Sequence, residues 1–82
     1  MSMEEEDPSI VEGPLPFQDR LAIRMEHAPG GTYRVTDVHG RLVRTGSAST
    51  AHMETSSWTV GPYVVEVRSR EGRVWRRVVV KG

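Results

Sequence analysis

The chain has 82 residues, enough for one small domain with a modest core and too few for the deep pocket that most enzymes enclose. It contains no Cys, which excludes a disulfide scaffold, an iron–sulfur cluster and a Cys-based zinc site, and its apolar runs all fall short of the roughly 18 residues a bilayer-spanning helix needs. The net charge of zero conceals a split: residues 1–19 hold six acids and no base, whereas residues 20–82 hold all 11 bases and five acids.

That acidic leader is broken by Pro8, Gly13, Pro14 and Pro16. It cannot bury enough apolar surface to offset its ordering entropy, so residues 1–14 read as a flexible linker or an appended leader, and residues 15–82 as the folded domain. The first residues also lack the basic and apolar regions of a secretory signal, so the segment as written is not expected to enter a secretory route by itself. Across the chain, twelve Val stand against three Leu and four Ala, with six Thr besides. β-Branched residues suit pleated, half-buried surfaces, and the straight-chain residues favoured by helices are scarce. The expected class is all-β.

From Phe17 onward the elements can be taken in order. Leu21, Ile23 and Met25 alternate with Ala22, Arg24 and Glu26, the period of a strand, although Phe17, Leu21, Met25 and Ala28 also fall at helical spacing. Pro29-Gly30-Gly31 forces a turn. Tyr33, Val35 and Asp37 alternate with Arg34, Thr36 and Val38 to give a second strand. A tight turn at Val38-His39-Gly40-Arg41, with Asp37 at its head and Gly40 at a positive-φ position, returns into a strand over Leu42 to Thr45. Residues 46–51 read as a small polar loop, followed by a short strand around Met53 to Thr55 and turns near Ser56-Ser57 and Gly61-Pro62. Tyr63 to Arg68, a turn at Ser69-Arg70-Glu71-Gly72, and Arg73 to Lys81 form a hairpin with a four-residue connection. Six strands, or seven with Ile10-Val11, separated by short turns predict an antiparallel, Ig-like β-sandwich. The last strand is long and β-branched and is expected at a sheet edge, open to strand addition by a partner or to homodimer formation by edge pairing.

Residues able to carry chemistry are sparse. His27, His39 and His52 have no ligand spacing, so no metal or other cofactor is expected. Ser56, Ser57, His52 and Asp37 can be arranged on paper as a triad, but neither serine sits in a nucleophile elbow. No Gly-rich loop leads from a strand into a helix to cradle phosphate. An enzyme is not expected. The one basic constellation is Arg73, Trp75, Arg77 and Lys81 on a single strand face. Arg beside an indole can stack on it and still receive an anion, which would make Arg73, Trp75 and Arg77 a polyanion-binding face. The plainer reading is a solvated face that keeps an edge soluble. It is favoured because the whole-chain charge is zero, and no nucleic-acid partner is expected. Trp58 and Trp75 read as packing residues.

The order of these signals resembles a known family. Pro16-Phe17-Gln18-Asp19-Arg20-Leu21-Ala22-Ile23 is similar to the PNPF-x-D-x-L-x-I opening of type IX secretion system C-terminal sorting domains. Gly31 to Val43, with Asp37-Val38-His39-Gly40-Arg41 inside it, resembles their second strand, D-x-x-G-R turn and third strand. Gly61-Pro62-Tyr63-Val64-Val65-Glu66-Val67 is similar to their G-x-Y-x-x-x-V segment. Arg76-Arg77-Val78-Val79-Val80-Lys81 resembles their closing basic-plus-valine strand. The resemblance covers residues 15–82, with two departures: Leu15 replaces the Asn of the opening, and Pro62 stands where the family carries an apolar residue.

The resemblance implies an Ig-like sandwich that catalyses nothing and carries an attached N-terminal cargo protein to the outer-membrane translocon of a Bacteroidota-type bacterium. The cargo would pass from the periplasm to the cell surface or the medium. A sortase-like peptidase would then remove the domain by cleavage within the acidic leader, often linking the cargo to surface lipopolysaccharide. Recognition would fall on the final hairpin. Gly61 and Tyr63 would set its first strand and Gly72 its turn, while Val78, Val79, Val80 and Lys81 would form the element that the translocon engages. A plain structural or adhesive module of a surface protein is the competing reading.

Overall fold

The structure, a computed structural model, describes residues 4–6, 10–12, 15–24, 28, 30–47 and 50–82. Among them are eight strands and no α-helix: β1 (Glu4–Glu6), β2 (Val11–Glu12), β3 (Arg20–Arg24), β4 (Thr32–Thr36), β5 (Leu42–Gly46), β6 (Thr50–Glu54), β7 (Gly61–Arg68) and β8 (Val74–Lys81). Six of these make an all-β, sandwich-like body of two antiparallel sheets. The larger sheet runs β8-β7-β4-β5 and the smaller pairs β3 with β6. The two shortest strands extend it, with β1 joining β8 in parallel and β2 joining β3 antiparallel.

Alternation dictates what lies between the sheets. Along β7, Tyr63, Val65 and Val67 are buried while Pro62 and Arg68 are exposed. β4 contributes Tyr33 and Val35 beside them. From the smaller sheet, Leu21 and Met53 face each other across the β3–β6 register and are both buried, with Ile23 one repeat further on. Phe17, Trp75 and Val79 join them in this core, as do Ile10 and Ala28. Each buried side chain of this size contributes roughly 1.5–3 kcal/mol, so a cluster of this kind is what holds so short a chain together.

The helical spacing through residues 17–28 is not used. Arg20–Arg24 is a strand because Leu21 and Ile23 need the same face against Met53, a demand only period two can meet. Met25, Glu26, His27, Pro29, Ala48 and Ser49 lie outside the described residues, as do residues 1–3, 7–9, 13 and 14. The turn after β3 closes through the Gly31 N–H donating to the Ala28 carbonyl (2.8 Å).

Several boundaries differ from expectation: β7 already begins at Gly61, where a turn was expected, and β6 ends at Glu54 rather than Thr55. The loop assigned to residues 46–51 is shorter, because Gly46 pairs with Tyr33 and Thr50 pairs with Arg24. Gly46 reads as loop for lack of a side chain, yet that lack is what packs. A Cβ there would stand 2.8 Å from the Tyr33 hydroxyl. The hairpin connection runs from Ser69 to Arg73, one residue longer than expected, because Ser69 clamps Arg73 twice: its N–H donates to the Arg73 carbonyl (2.8 Å) and its Oγ accepts from the Arg73 N–H (3.0 Å). Finally, the folded unit starts before residue 15. Ile10 is 1% exposed within the core, and Val11 and Glu12 pair with Ile23 and Ala22. The segment Ile10–Glu12 therefore belongs to the sandwich rather than to a linker.

Candidate functional site

The site expected from sequence is the β7–β8 hairpin, which spans eight cross-strand pairs from Gly61↔Lys81 to Arg68↔Val74. Its two glycines occupy backbone that a side chain would strain, Gly61 at φ +139° where β7 begins and Gly72 at φ +92° in the connection. Tyr63 is buried and makes a three-ring cluster with Phe17 and Trp58, at centroid separations of 6.1 Å to Phe17 and 5.0 Å to Trp58. Its hydroxyl donates to the Thr59 carbonyl at 2.7 Å. Tyr63 is thus an internal anchor of the hairpin, satisfied at its polar end as a buried phenol must be.

The remaining expected residues do not form one surface. Val79 (1% exposed) and Lys81 (6%) point inward, while Val78 (57%) and Val80 (45%) point outward. Lys81 directs its ammonium to the Gly82 carbonyl (3.2 Å). The phase is set by Trp75 and Val79 sharing the core with Val67 and Tyr63, their partners across β7. A one-residue slip would expose them all.

The same phase corrects the basic stripe. Trp75 is 4% exposed and Lys81 is buried, so the face carrying Trp75, Arg77, Val79 and Lys81 is the inner face of β8, not a solvated one. Arg73 does lie over the indole, its guanidinium carbon 5.0 Å from the Trp75 ring centroid. Arg77 is half-buried opposite Val65, and its Nε has no hydrogen-bond partner among the described residues. Arg73, Trp75 and Arg77 therefore do not share an open platform on which an anion could lie. Trp58 is half-buried against the core, as its packing role required.

β8 was expected at an open edge, and the structure covers much of it. At one end β1 pairs with Val74 to Arg76. At the other, Phe17 forms a parallel bridge with Lys81: its N–H donates to the Val80 carbonyl (3.0 Å) and its carbonyl accepts from the Gly82 N–H (2.8 Å). Among the described residues, the open stretch of edge is the short interval between these two covers. The clamp also explains how Pro62 is tolerated. The Val80 carbonyl points away from β7, so Val80 and Pro62 form a non-hydrogen-bonded pair, and the missing donor of Pro62 costs no bond to β8.

The turn between β4 and β5 is built around one carboxylate. Asp37 Oδ1 accepts from the N–H groups of His39 (2.9 Å) and Arg41 (3.0 Å), and Oδ2 accepts from Arg41 Nε (3.0 Å). Gly40 closes the turn at φ +78°. Partial burial is the largest single influence on this carboxyl and disfavours ionisation, but the backbone donors of Arg41 and His39 and the Arg41 guanidinium outweigh it and hold the pKa below its ordinary value. With both its oxygens engaged inside the turn, Asp37 acts as a turn-forming residue. Among the described residues no three of His, Asp and Glu stand close enough to hold a metal ion.

Four segments singled out in the sequence thus form one continuous structure. The Phe17 opening clamps the end of β8, β8 pairs with β7, β7 pairs with β4, and the Asp37 turn leads from β4 to β5. Residues 14–81 match the family described as the secretion system C-terminal sorting domain. No curated protein and no solved structure matches the chain.

Proposed function

The chain belongs to the type IX secretion C-terminal sorting domain family, and from that premise we propose that it is read, folded, by the outer-membrane translocon and removed from its cargo after passage. The coarse role follows from the family: a sorting signal attached behind an N-terminal cargo, working with the type IX machinery, sending that cargo to the cell surface or beyond. Domains of this family are in general non-catalytic.

The observation that carries the finer reading is the β7–β8 hairpin, held at its far end by Phe17. A recognition element must keep its shape while it is inspected. Eight cross-strand pairs, the Tyr63–Phe17–Trp58 cluster and the two hydrogen bonds of the clamp supply that rigidity. Gly61, Tyr63 and Gly72 act by building the hairpin, and so do Val79 and Lys81 from inside it. Val78 and Val80 are the side chains of the set that a partner can touch. Among the described residues β8 keeps a short open interval between its two covers, which supports main-chain pairing by a strand of the partner. Passage through the periplasm and cleavage by a sortase-like peptidase upstream of the sandwich complete the proposed sequence of events. The burial of Ile10 supports a cleavage point ahead of that residue.

The test is a secreted fluorescent reporter fused ahead of residues 1–82, expressed in a type IX-competent bacterium and in the same strain lacking the translocon. Export in the first strain alone is expected, with loss on deletion of residues 73–82 and little change for Leu15→Asn, since Leu15 is 40% exposed. Reporter retained in the periplasm of both strains would overturn the sorting role and leave a structural or adhesive module.

A further inference from the structure

One edge of β8 pairs with β7, and two covers share the other. The Val80 carbonyl and the Gly82 N–H both point to the Phe17 backbone, away from β7. Backbone direction alternates along a strand, so the N–H and C=O groups of Val74, Arg76 and Val78 face that same outer edge. β1 lies against Val74 to Arg76. Among the described residues, Val78 is therefore the one outward-facing residue of β8 between the covers. Strands are rarely shorter than about three residues, so one residue of open edge does not accommodate a partner strand. Strand addition at β8 requires a cover to leave.

The two covers differ in what holds them. Phe17 is 2% exposed, its ring packs on Trp58 and Tyr63, and its peptide groups make hydrogen bonds of 3.0 and 2.8 Å. β1 is three consecutive glutamates, a residue type depleted in strands. It pairs in parallel, the slightly weaker geometry. Its register places Glu6 in the row of Arg76, Glu66 and Arg34, where acid and base alternate across the sheet. Opposite charges on neighbouring strands contribute only about 0.2–1 kcal/mol. That is enough to fix the register of β1 and too little to hold it against a competing strand. In the chain β1 precedes Ile10, so its departure leaves the core segments in place.

We propose that β1 is a displaceable cover on the recognition edge. It occupies Val74 to Arg76 in the free domain and yields that stretch to a strand of the export machinery, which then pairs along β8 from Val74 to Val78. The inference rests on the main-chain pairing proposed above and adds its regulation. While in place, the cover keeps a long, valine-rich edge from pairing with other chains. The partner's apparent affinity is reduced by the fraction of domains whose cover is closed, so permanent closure blocks pairing.

The chain has no Cys, so Glu6→Cys/Arg76→Cys, at positions opposite in the register, introduces a single intramolecular pair. The experiment compares the reporter fusion unsubstituted, with each cysteine alone and with both. Translocon-dependent export is expected of the unsubstituted and single-cysteine fusions. The disulfide-closed fusion should lose about tenfold or more, the effect of removing roughly one well-placed contact, and dithiothreitol in the medium should restore it. Amide exchange on the 82-residue chain compares Arg76, whose N–H faces β1, with Arg77, whose N–H faces β7. After correction for intrinsic rates, Arg76 should exchange at least about tenfold faster, through local opening of β1. Undiminished export of the disulfide-closed fusion, or exchange of Arg76 only together with Arg77, overturns the displaceable cover and leaves the sorting role standing. No unsubstituted export overturns both. Should the disulfide not form, or a single cysteine impair export, the exchange comparison decides by itself.

Discussion

Asp37 and Glu54 show how a single carboxylate links the fold to pH. The Asp37 carboxyl is lowered despite its partial burial, by the donors of Arg41 and His39. That of Glu54 is lowered by hydrogen bonds from the Ser56 hydroxyl and then its N–H, with an added attraction from Arg20 across the β3–β6 pair. A carboxylate with a depressed folded pKa stabilises the fold above its unfolded pKa of about 4, and that stability is lost as pH falls through the folded value. The urea midpoint should therefore decline from about pH 5 toward pH 2, and Asp37→Asn/Glu54→Gln should decline less over that range. Equal pH slopes for the two proteins would refute the assignment. The Asp37 turn was legible in the sequence because its chemistry is local: an Asp, a Gly three residues on and an Arg next to it suffice. Val78, Val79 and Val80 were not separable, because three consecutive valines carry no alternation and the phase comes from partners on β7.

Phe17 acts at the scale of elements, since its backbone joins the opening of the domain to the end of β8 while its ring packs on Trp58 and on Tyr63 of β7. Its ring lies 6.0 Å from Trp58 in an edge-on arrangement and 6.1 Å from Tyr63, and its peptide group bonds Val80 and Gly82. Phe17→Ala should cost about 3–5 kcal/mol of stability in urea unfolding. It should also speed amide exchange at Gly82, whose acceptor is the Phe17 carbonyl, more than at the central β4–β7 amides. Exchange at Gly82 that does not respond would mean that the ring supports the core without the clamp. The strands themselves were legible from their period, down to the returning strand at Leu42. Their sharing out between sheets was not, because β5 and β6 follow one another in sequence yet lie in different sheets. Thr55 ties that second sheet to the chain before β3: it is fully buried, its Oγ1 donates to the Gln18 carbonyl (2.7 Å) and its N–H to the Asp19 carbonyl (2.9 Å).

For the molecule as a whole, the question is where the folded unit begins. Composition sets the boundary at residue 15, because acids and prolines dominate what precedes it. Ile10 sits in the core nevertheless, and β2 adds to β3. In so short a chain each core residue is a large share of total stability. Ile10→Ala should cost about 2–5 kcal/mol in urea unfolding, as much as a substitution at Ile23. A loss below about 0.5 kcal/mol, typical of exposed positions, would return residues 10–12 to the linker.

The all-β class, the succession of strands from Leu21 onward, the turns at Gly40 and Gly72, and the family were readable from the residues alone, because periodicity, turn chemistry and the order of short motifs are properties of neighbouring residues. Packing between strands set the rest: Trp75 and Lys81 face inward while Val78 and Val80 face out, Phe17 closes the end of β8, and Ile10 lies in the core. Each of these depends on a partner outside the strand itself: Val67 across the hairpin for Trp75, Lys81 for Phe17, Ile23 for the strand that follows Ile10. Burial is won through such long-range pairings, and a strand's own residues do not carry the information on which of its two faces will be chosen.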